Sequence, residues 1–158
     1  MAVTRKEKAY EKYAWLIPFA MGIAFLIVAI AVFIAPRQTI IDVSGSTVES
    51  LTGTTFAQIA ASSPGVVNYI YYLIRTFIIF EAGISAFLAV VSATAYRRGE
   101  RWAWYLTWLF VALFVLDLPH EYFVRGVPFI DVSSIIFVAI LVVGLLLPYR
   151  KFFPKKQP

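Results

Sequence analysis

Four apolar runs, separated by polar segments, organise the chain. The first extends from Ala14 to Ala35, stops at Pro36 and follows a polar stretch from Thr4 to Lys12. At about 22 residues it makes roughly 33 Å of helix, enough to cross a hydrocarbon core of about 30 Å. It is longer than the ~7–15-residue apolar region of a cleavable signal peptide and shows no clear cleavage site, so a retained span is expected. Pro18 falls in its first turn or so, where proline costs little. The second run, Val66 to Ala95, is long enough to tilt or protrude. The third begins at Trp102 and is expected to end near Leu118, interrupted by Pro119. The fourth follows Asp131, Ser133 and Ser134, an N-cap composition, and runs to about Leu147 before Pro148.

Between the first two runs lies the one long polar connection, 36–65, rich in Ser, Thr and Gly. Thr39 to Ser44 has short strand character. Thr54 to Ser62 reads as a short helix capped by Thr54 or Thr55, with Phe56, Ile59 and Ala60 on one side. Ser63-Pro64-Gly65 breaks the chain before the second run. An apolar face in so long a connection points to a lid on the bundle end. The expected fold class is therefore all-α: a polytopic four-transmembrane-helix bundle forming a single domain over 1–158, with spans at about 14–35, 66–95, 102–118 and 131–147.

Composition agrees and narrows the function. Of 158 residues, 61% are hydrophobic and 15% charged, against roughly a quarter charged in soluble domains. The absence of cysteine excludes thiol redox chemistry, Fe–S clusters, Cys–zinc sites and disulfides. One histidine, His120, excludes a bis-histidine haem within one copy. Charge gives an orientation. Eleven of the 14 basic residues fall on the side of the two termini and the second connection: Arg5, Lys6, Lys8, Lys12, Arg97, Arg98, Arg101, Arg150, Lys151, Lys155 and Lys156. Only Arg37 and Arg125 flank the other side, and Arg75 lies within a span. The positive-inside rule places both termini in the cytoplasm and the 36–65 connection outside. Tyr10, Tyr13, Trp15, Tyr96, Trp102, Trp104, Tyr105 and Tyr149 are expected to form an interfacial aromatic belt on the cytoplasmic side. The basic runs flank apolar spans and do not form a nucleic-acid footprint.

Ionisable residues inside the membrane cost at least about 2.5 kcal/mol each and need a reason. Arg75, Glu81 and Asp117 are such residues, with His120 and Glu121 at the mouth of the bundle. By residue count Arg75 and Asp117 come to similar depths, so an ion pair between them is expected. Glu81 lies six residues beyond Arg75, about 240° around the helix, and is expected to face the bundle interior, bonded to a neighbouring Tyr, Trp or carbonyl. Asp117, His120 and Glu121 have the i, i+3, i+4 spacing that gathers ligands on one helix face. Pro119 and the shortage of further ligands argue against a metal site, and a polar cluster pairing with Arg125 or Arg75 is preferred. These five residues form the expected ligand-binding or buried polar cluster. No catalytic triad and no phosphate-binding glycine loop is present. Ala82, Ser85, Ala86, Ala89, Ser92 and Ala93 recur at i, i+3, i+4 and i+7, a seam for close helix approach, with a lesser version at Ala20, Gly22 and Ala24.

Leu51-Thr-Gly, Ser63-Pro-Gly-Val-Val-Asn-Tyr-Ile70, Arg75 and Tyr96-Arg-Arg-Gly-Glu-Arg-Trp-Ala-Trp-Tyr105 resemble uncharacterised bacterial and archaeal four-span membrane proteins that are DoxX-like in layout, over roughly residues 50–110. The resemblance implies a compact four-helix bundle and carries no activity. The expected function is that of a small non-enzymatic membrane protein, an accessory subunit or a binder of an apolar ligand such as a lipid, quinone or isoprenoid. The alternatives are a membrane enzyme on a lipid-like substrate using buried acids, or an oligomeric proton-coupled transporter. No cofactor and no nucleic acid is expected. The partners expected are the lipid bilayer, an apolar small molecule, and membrane-complex subunits or further copies of the chain.

Overall fold

A computed structural model describes residues 8–125 and 132–154, with side chains outside 41–47, 117–125 and 132–134. Among the described residues the chain is helical throughout. The elements are α1 (Ala9–Tyr13), α2 (Leu16–Ile34), α3 (Arg37–Thr52), α4 (Phe56–Ser62), α5 (Pro64–Val91), a π-helical turn (Ser92–Tyr96), α6 (Arg101–Arg125), α7 (Val132–Leu146) and α8 (Tyr149–Phe152). Two helical stretches, Ala9–Ile34 and Pro64–Tyr96, are long and apolar enough to cross a membrane. Shorter apolar stretches lie at Arg101–Leu116 and Ile135–Leu146.

The second run opens as its sequence dictates. Pro64 supplies the fixed φ suited to a first helical position, and α5 starts there. The 36–65 connection differs from expectation over its first half. Thr39–Ser44 belongs to α3 and not to a strand. β-Branched residues favour strands only weakly, and this segment is bracketed by helix signals: Pro36 precedes the first turn, and Gly53 at φ 67° closes the last, its N–H donating to the Glu49 carbonyl at 2.8 Å. Such a left-handed closing residue is nearly cost-free only for glycine. The second half follows expectation. Thr55 caps α4, its hydroxyl accepting from the Gln58 N–H at 3.3 Å while the Gln58 side chain accepts from the Thr55 N–H at 2.9 Å, a reciprocal capping box. Phe56 is buried, Ile59 half-buried and Ala60 exposed. α4 packs on α3 and α5, and α3 also reaches α6, so the connection is a helical pair resting on one end of the long helices.

The third run also differs. α6 continues through Pro119 to Arg125. Proline removes one hydrogen bond to the carbonyl four residues back, and long apolar helices tolerate this where neighbouring groups re-satisfy the freed carbonyl. Asp131, expected as an N-cap, lies outside the described residues.

α2 makes its most extensive contact with α5 and also touches α7, and α7 packs on α6. The α2–α5 seam is built from small residues. A Cβ placed on Gly22 would lie 2.8 Å from the Ala89 backbone nitrogen and 2.9 Å from the Ser85 carbonyl oxygen, so only glycine fits. Ser85, Ala89 and Ser92 are buried on the facing stripe, as the spacing predicts. Ala20 and Ala24 are exposed, because two residues either side of Gly22 turn the helix by about 200°. They do not belong to the seam.

The other end, which carries α1 and α8, is held by side-chain donors, two of them aromatic. Tyr96 is 1% exposed, a core residue and not part of an interfacial belt. It is the last residue of the π turn, which is marked by the Arg97 N–H to Ser92 carbonyl bond at 3.1 Å. Its hydroxyl donates to the Gly144 carbonyl at 2.8 Å. The Trp104 indole donates to the Leu145 carbonyl at 3.0 Å, and Arg101 Nε to the Phe152 carbonyl at 3.1 Å. Helix-final carbonyls lack intrahelical partners, and these bonds from other elements fill that need. Tyr10, Tyr13, Trp102, Tyr105 and Tyr149 are exposed.

Candidate functional site

The polar groups expected within the membrane divide between described and undescribed side chains. Arg75 is described. It does not sit on a carboxylate among the described residues. Its guanidinium lies over two rings, 4.9 Å from the centroid of Phe33 on α2 and 5.0 Å from that of Tyr71 on α5. Arg75 Nε is buried, with no hydrogen-bond partner among the described residues. Residues four apart share a helix face, which brings Tyr71 to Arg75, and the α2–α5 seam delivers Phe33. A cation over an aromatic face gains about 0.5–1 kcal/mol when exposed and about 2 kcal/mol when desolvated, enough to offset much of the cost of the buried charge.

Arg37 joins the same group. It stands at the start of α3, directly beyond the end of α2 and Pro36. Its guanidinium is 5.4 Å from the Tyr71 centroid, and its Nη2 donates to Asn68 Oδ1 at 2.7 Å. Tyr71 therefore meets two guanidinium groups. In the sequence Arg37 stands out only as a flanking charge. What would have revealed its role is Asn68, Tyr71 and Arg75 at i, i+3 and i+7 on α5, one face of a helix.

Below this group lies an apolar groove of about 220 Å³ between α2 and α5, lined by Ala29, Ile30, Phe33, Ile78, Ile79 and Ala82. No polar side chain is among these. Phe33 is common to the groove and to the arginine cluster. The small side chains of Ala29 and Ala82 leave the space.

Glu81 is half-buried. It lies one turn from Ser85, on the flank of the buried stripe of α5 and about 120° around the helix from Arg75. It is not among the groove-lining residues, and the expected bond to a Tyr, Trp or carbonyl is not found for it among the described residues. The side chains of Asp117, His120 and Glu121 lie outside the described residues, and so does the Arg75–Asp117 pairing. Their backbone positions share about one turn of α6, which keeps the i, i+3, i+4 spacing intact. Among the described residues no group of three His, Asp or Glu side chains could hold a metal ion.

One carboxylate escaped the sequence reading. Glu11 was counted with the polar N-terminal stretch, yet it is 3% exposed and accepts from the Lys8 N–H at 3.1 Å. Two acids among basic residues, Glu7 and Glu11, carry no pattern that distinguishes a buried group from a solvated one.

No family model matches the chain, and neither a curated protein nor a solved structure matches it.

Proposed function

We propose that the chain is a four-span integral membrane protein, with α2, α5, α6 and α7 crossing the bilayer and both termini cytoplasmic, and that it binds an apolar ligand of the lipid, quinone or isoprenoid class without chemical turnover. The observation that carries the ligand reading is the α2/α5 groove, apolar over its whole lining and bordered by an arginine cluster at one end. The membrane reading draws on exposure. Ile27 is 61% exposed, Ile34 73%, Phe77 69% and Phe80 67%. Only 22% of the apolar window of the first long helix and 33% of the second is buried. A helix apolar on all sides and uncovered by its own fold has an apolar environment around it. α6, at 25 residues, is about 37 Å long. α7 has 15 residues, about 22 Å, and a short span is accommodated by local bilayer thinning. The DoxX-like layout belongs to the same proposal.

The enzymatic and transport alternatives need a cavity that reaches Glu81, and the groove is lined by its neighbours Ile78, Ile79 and Ala82 instead. An accessory-subunit role is the other form of the non-enzymatic reading, with a protein partner covering the apolar surface.

Two measurements test this. Because the chain has no cysteine, single cysteines report topology cleanly. A membrane-impermeant maleimide is expected to label Ala57→Cys on intact cells and Arg98→Cys only after permeabilisation. Labelling of both on intact cells would refute the orientation. Native mass spectrometry of protein extracted in mild detergent is expected to show one defined apolar adduct. Ala82→Phe, which fills the groove, should reduce its occupancy about tenfold, equivalent to 1.4 kcal/mol. A bare chain in both cases overturns the ligand reading, and a stable hetero-complex replaces it with the accessory subunit.

A further inference from the structure

We propose that Arg37 and Arg75 bind the phosphate of an anionic phospholipid whose acyl chain enters the α2/α5 groove. This rests on the ligand-binding reading above and names the ligand class.

Three observations converge on it. First, the two guanidinium groups share one ring, 5.0 and 5.4 Å from the Tyr71 centroid. The shared ring keeps the two charges within about 10 Å of each other, a range over which like charges still repel. Among the described residues no carboxylate pairs with either of them, whereas Arg98, on another part of the chain, does have one in Glu100. An anion bound at the two arginines offsets the repulsion. Second, donors are in place. Arg75 Nε is buried without a hydrogen-bond partner among the described residues, and guanidinium groups match phosphate oxygens in geometry. Third, the direction is that of a lipid. From Arg37 and Arg75 the groove leads along α2 from Phe33 to Ala29 and along α5 from Ile78 to Ala82, away from the helix ends and toward their middle. A head group at the arginines thus places its chain down the groove, parallel to the chains of the surrounding leaflet. A quinone or an uncharged isoprenoid would use the groove and leave the arginine pair unmatched.

The test uses the full-length protein in mild detergent, equilibrated with equimolar dioleoyl phosphatidylglycerol and dioleoyl phosphatidylcholine and read by native mass spectrometry. Phosphatidylglycerol is expected to be retained preferentially. A basic residue near the surface contributes about 1 kcal/mol to binding an anionic lipid, so each arginine removed should reduce that preference about fivefold. Arg37→Gln is the primary variant, because Arg37 is exposed and its loss leaves the α2–α5 seam intact. Arg75→Gln should act in the same direction, and Arg37→Lys should keep most of the preference. Ala82→Phe should lower retention of both lipids. Equal retention of the two lipids, unaffected by Arg37→Gln but lost in Ala82→Phe, overturns the head-group assignment and leaves the apolar-ligand reading standing. Retention of neither lipid, with no other adduct, overturns both. A dimer that Ala82→Phe dissociates, with no lipid bound, assigns the groove to a second copy of the chain and overturns the proposal.

Discussion

Gly22→Leu is expected to separate α2 from α5 and to abolish a monodisperse, folded protein in detergent. The reason is the identity of the atoms it would meet. A Cβ at position 22 would fall 2.8 Å from the Ala89 nitrogen, 2.9 Å from the Ser85 oxygen and 3.1 Å from the Ala89 Cα, and all three are backbone. No rotamer change relieves such a contact, so a whole helix must move. Overfilling a well-packed interior costs about 1–3 kcal/mol for a few added carbons, and a leucine adds four. Gly22→Ala is the graded version. It gains up to about 1 kcal/mol of helix propensity and still loses net stability, because the clash outweighs that gain. Gly83, in the same helical pair, has no neighbouring atom within 4 Å of its would-be Cβ, so Gly83→Ala should leave stability unchanged or raise it. Thermal unfolding midpoints in one detergent decide the matter. If Gly22→Ala melts no earlier than the wild type while Gly83→Ala behaves as expected, the close helix approach is not a source of stability. Gly22→Leu should also erase the α2/α5 groove, since both of its walls depend on this contact.

The long helices were legible because hydropathy over twenty or more residues is a signal that local preferences do not obscure. The end of α2 and the start of α5 fall where Pro36 and Pro64 announce them, and Thr54-Thr55 announces the start of α4. The misreadings have separate physical causes. Thr39–Ser44 has a β-branched composition whose preference depends on context, and the bracketing Pro36 and Gly53 are the stronger signals. Pro119 suggests a stop, although a long apolar helix accommodates a proline. At the candidate site, the sequence shows Arg75 to be a charge in need of a partner, and carboxylates are not the sole candidates. Aromatic faces satisfy a guanidinium too, and Phe33 reaches it from another helix, a contact that spacing along one run cannot reveal. Asp117, His120 and Glu121 stay at the level of helical spacing, since their side chains lie outside the described residues.

Tyr96→Ala is expected to lower stability by about 3–5 kcal/mol, the range for removing a large buried ring, and its causes can be separated. The ring packs on Phe152 with centroids 4.7 Å apart, and the hydroxyl donates to the Gly144 carbonyl at 2.8 Å. That carbonyl has a particular need. Its intrahelical partner would be the N–H of residue 148, and Pro148 has none. Tyr96 supplies from another helix the bond that proline withholds. Tyr96→Phe keeps the ring and leaves the carbonyl buried without a donor, which costs about 1–3 kcal/mol. The Pro148→Ala background discriminates. An alanine restores the N–H, so the carbonyl no longer depends on tyrosine, and the Tyr96→Phe change should cost distinctly less there than in the wild type. A double-mutant cycle on thermal or denaturant unfolding measures this coupling, expected at about 1 kcal/mol or more. Strict additivity would mean that the hydroxyl does not stand in for the missing N–H. The stability of this end would then come from the ring contacts alone, and Tyr96→Phe would be tolerated wherever Phe152 keeps its place.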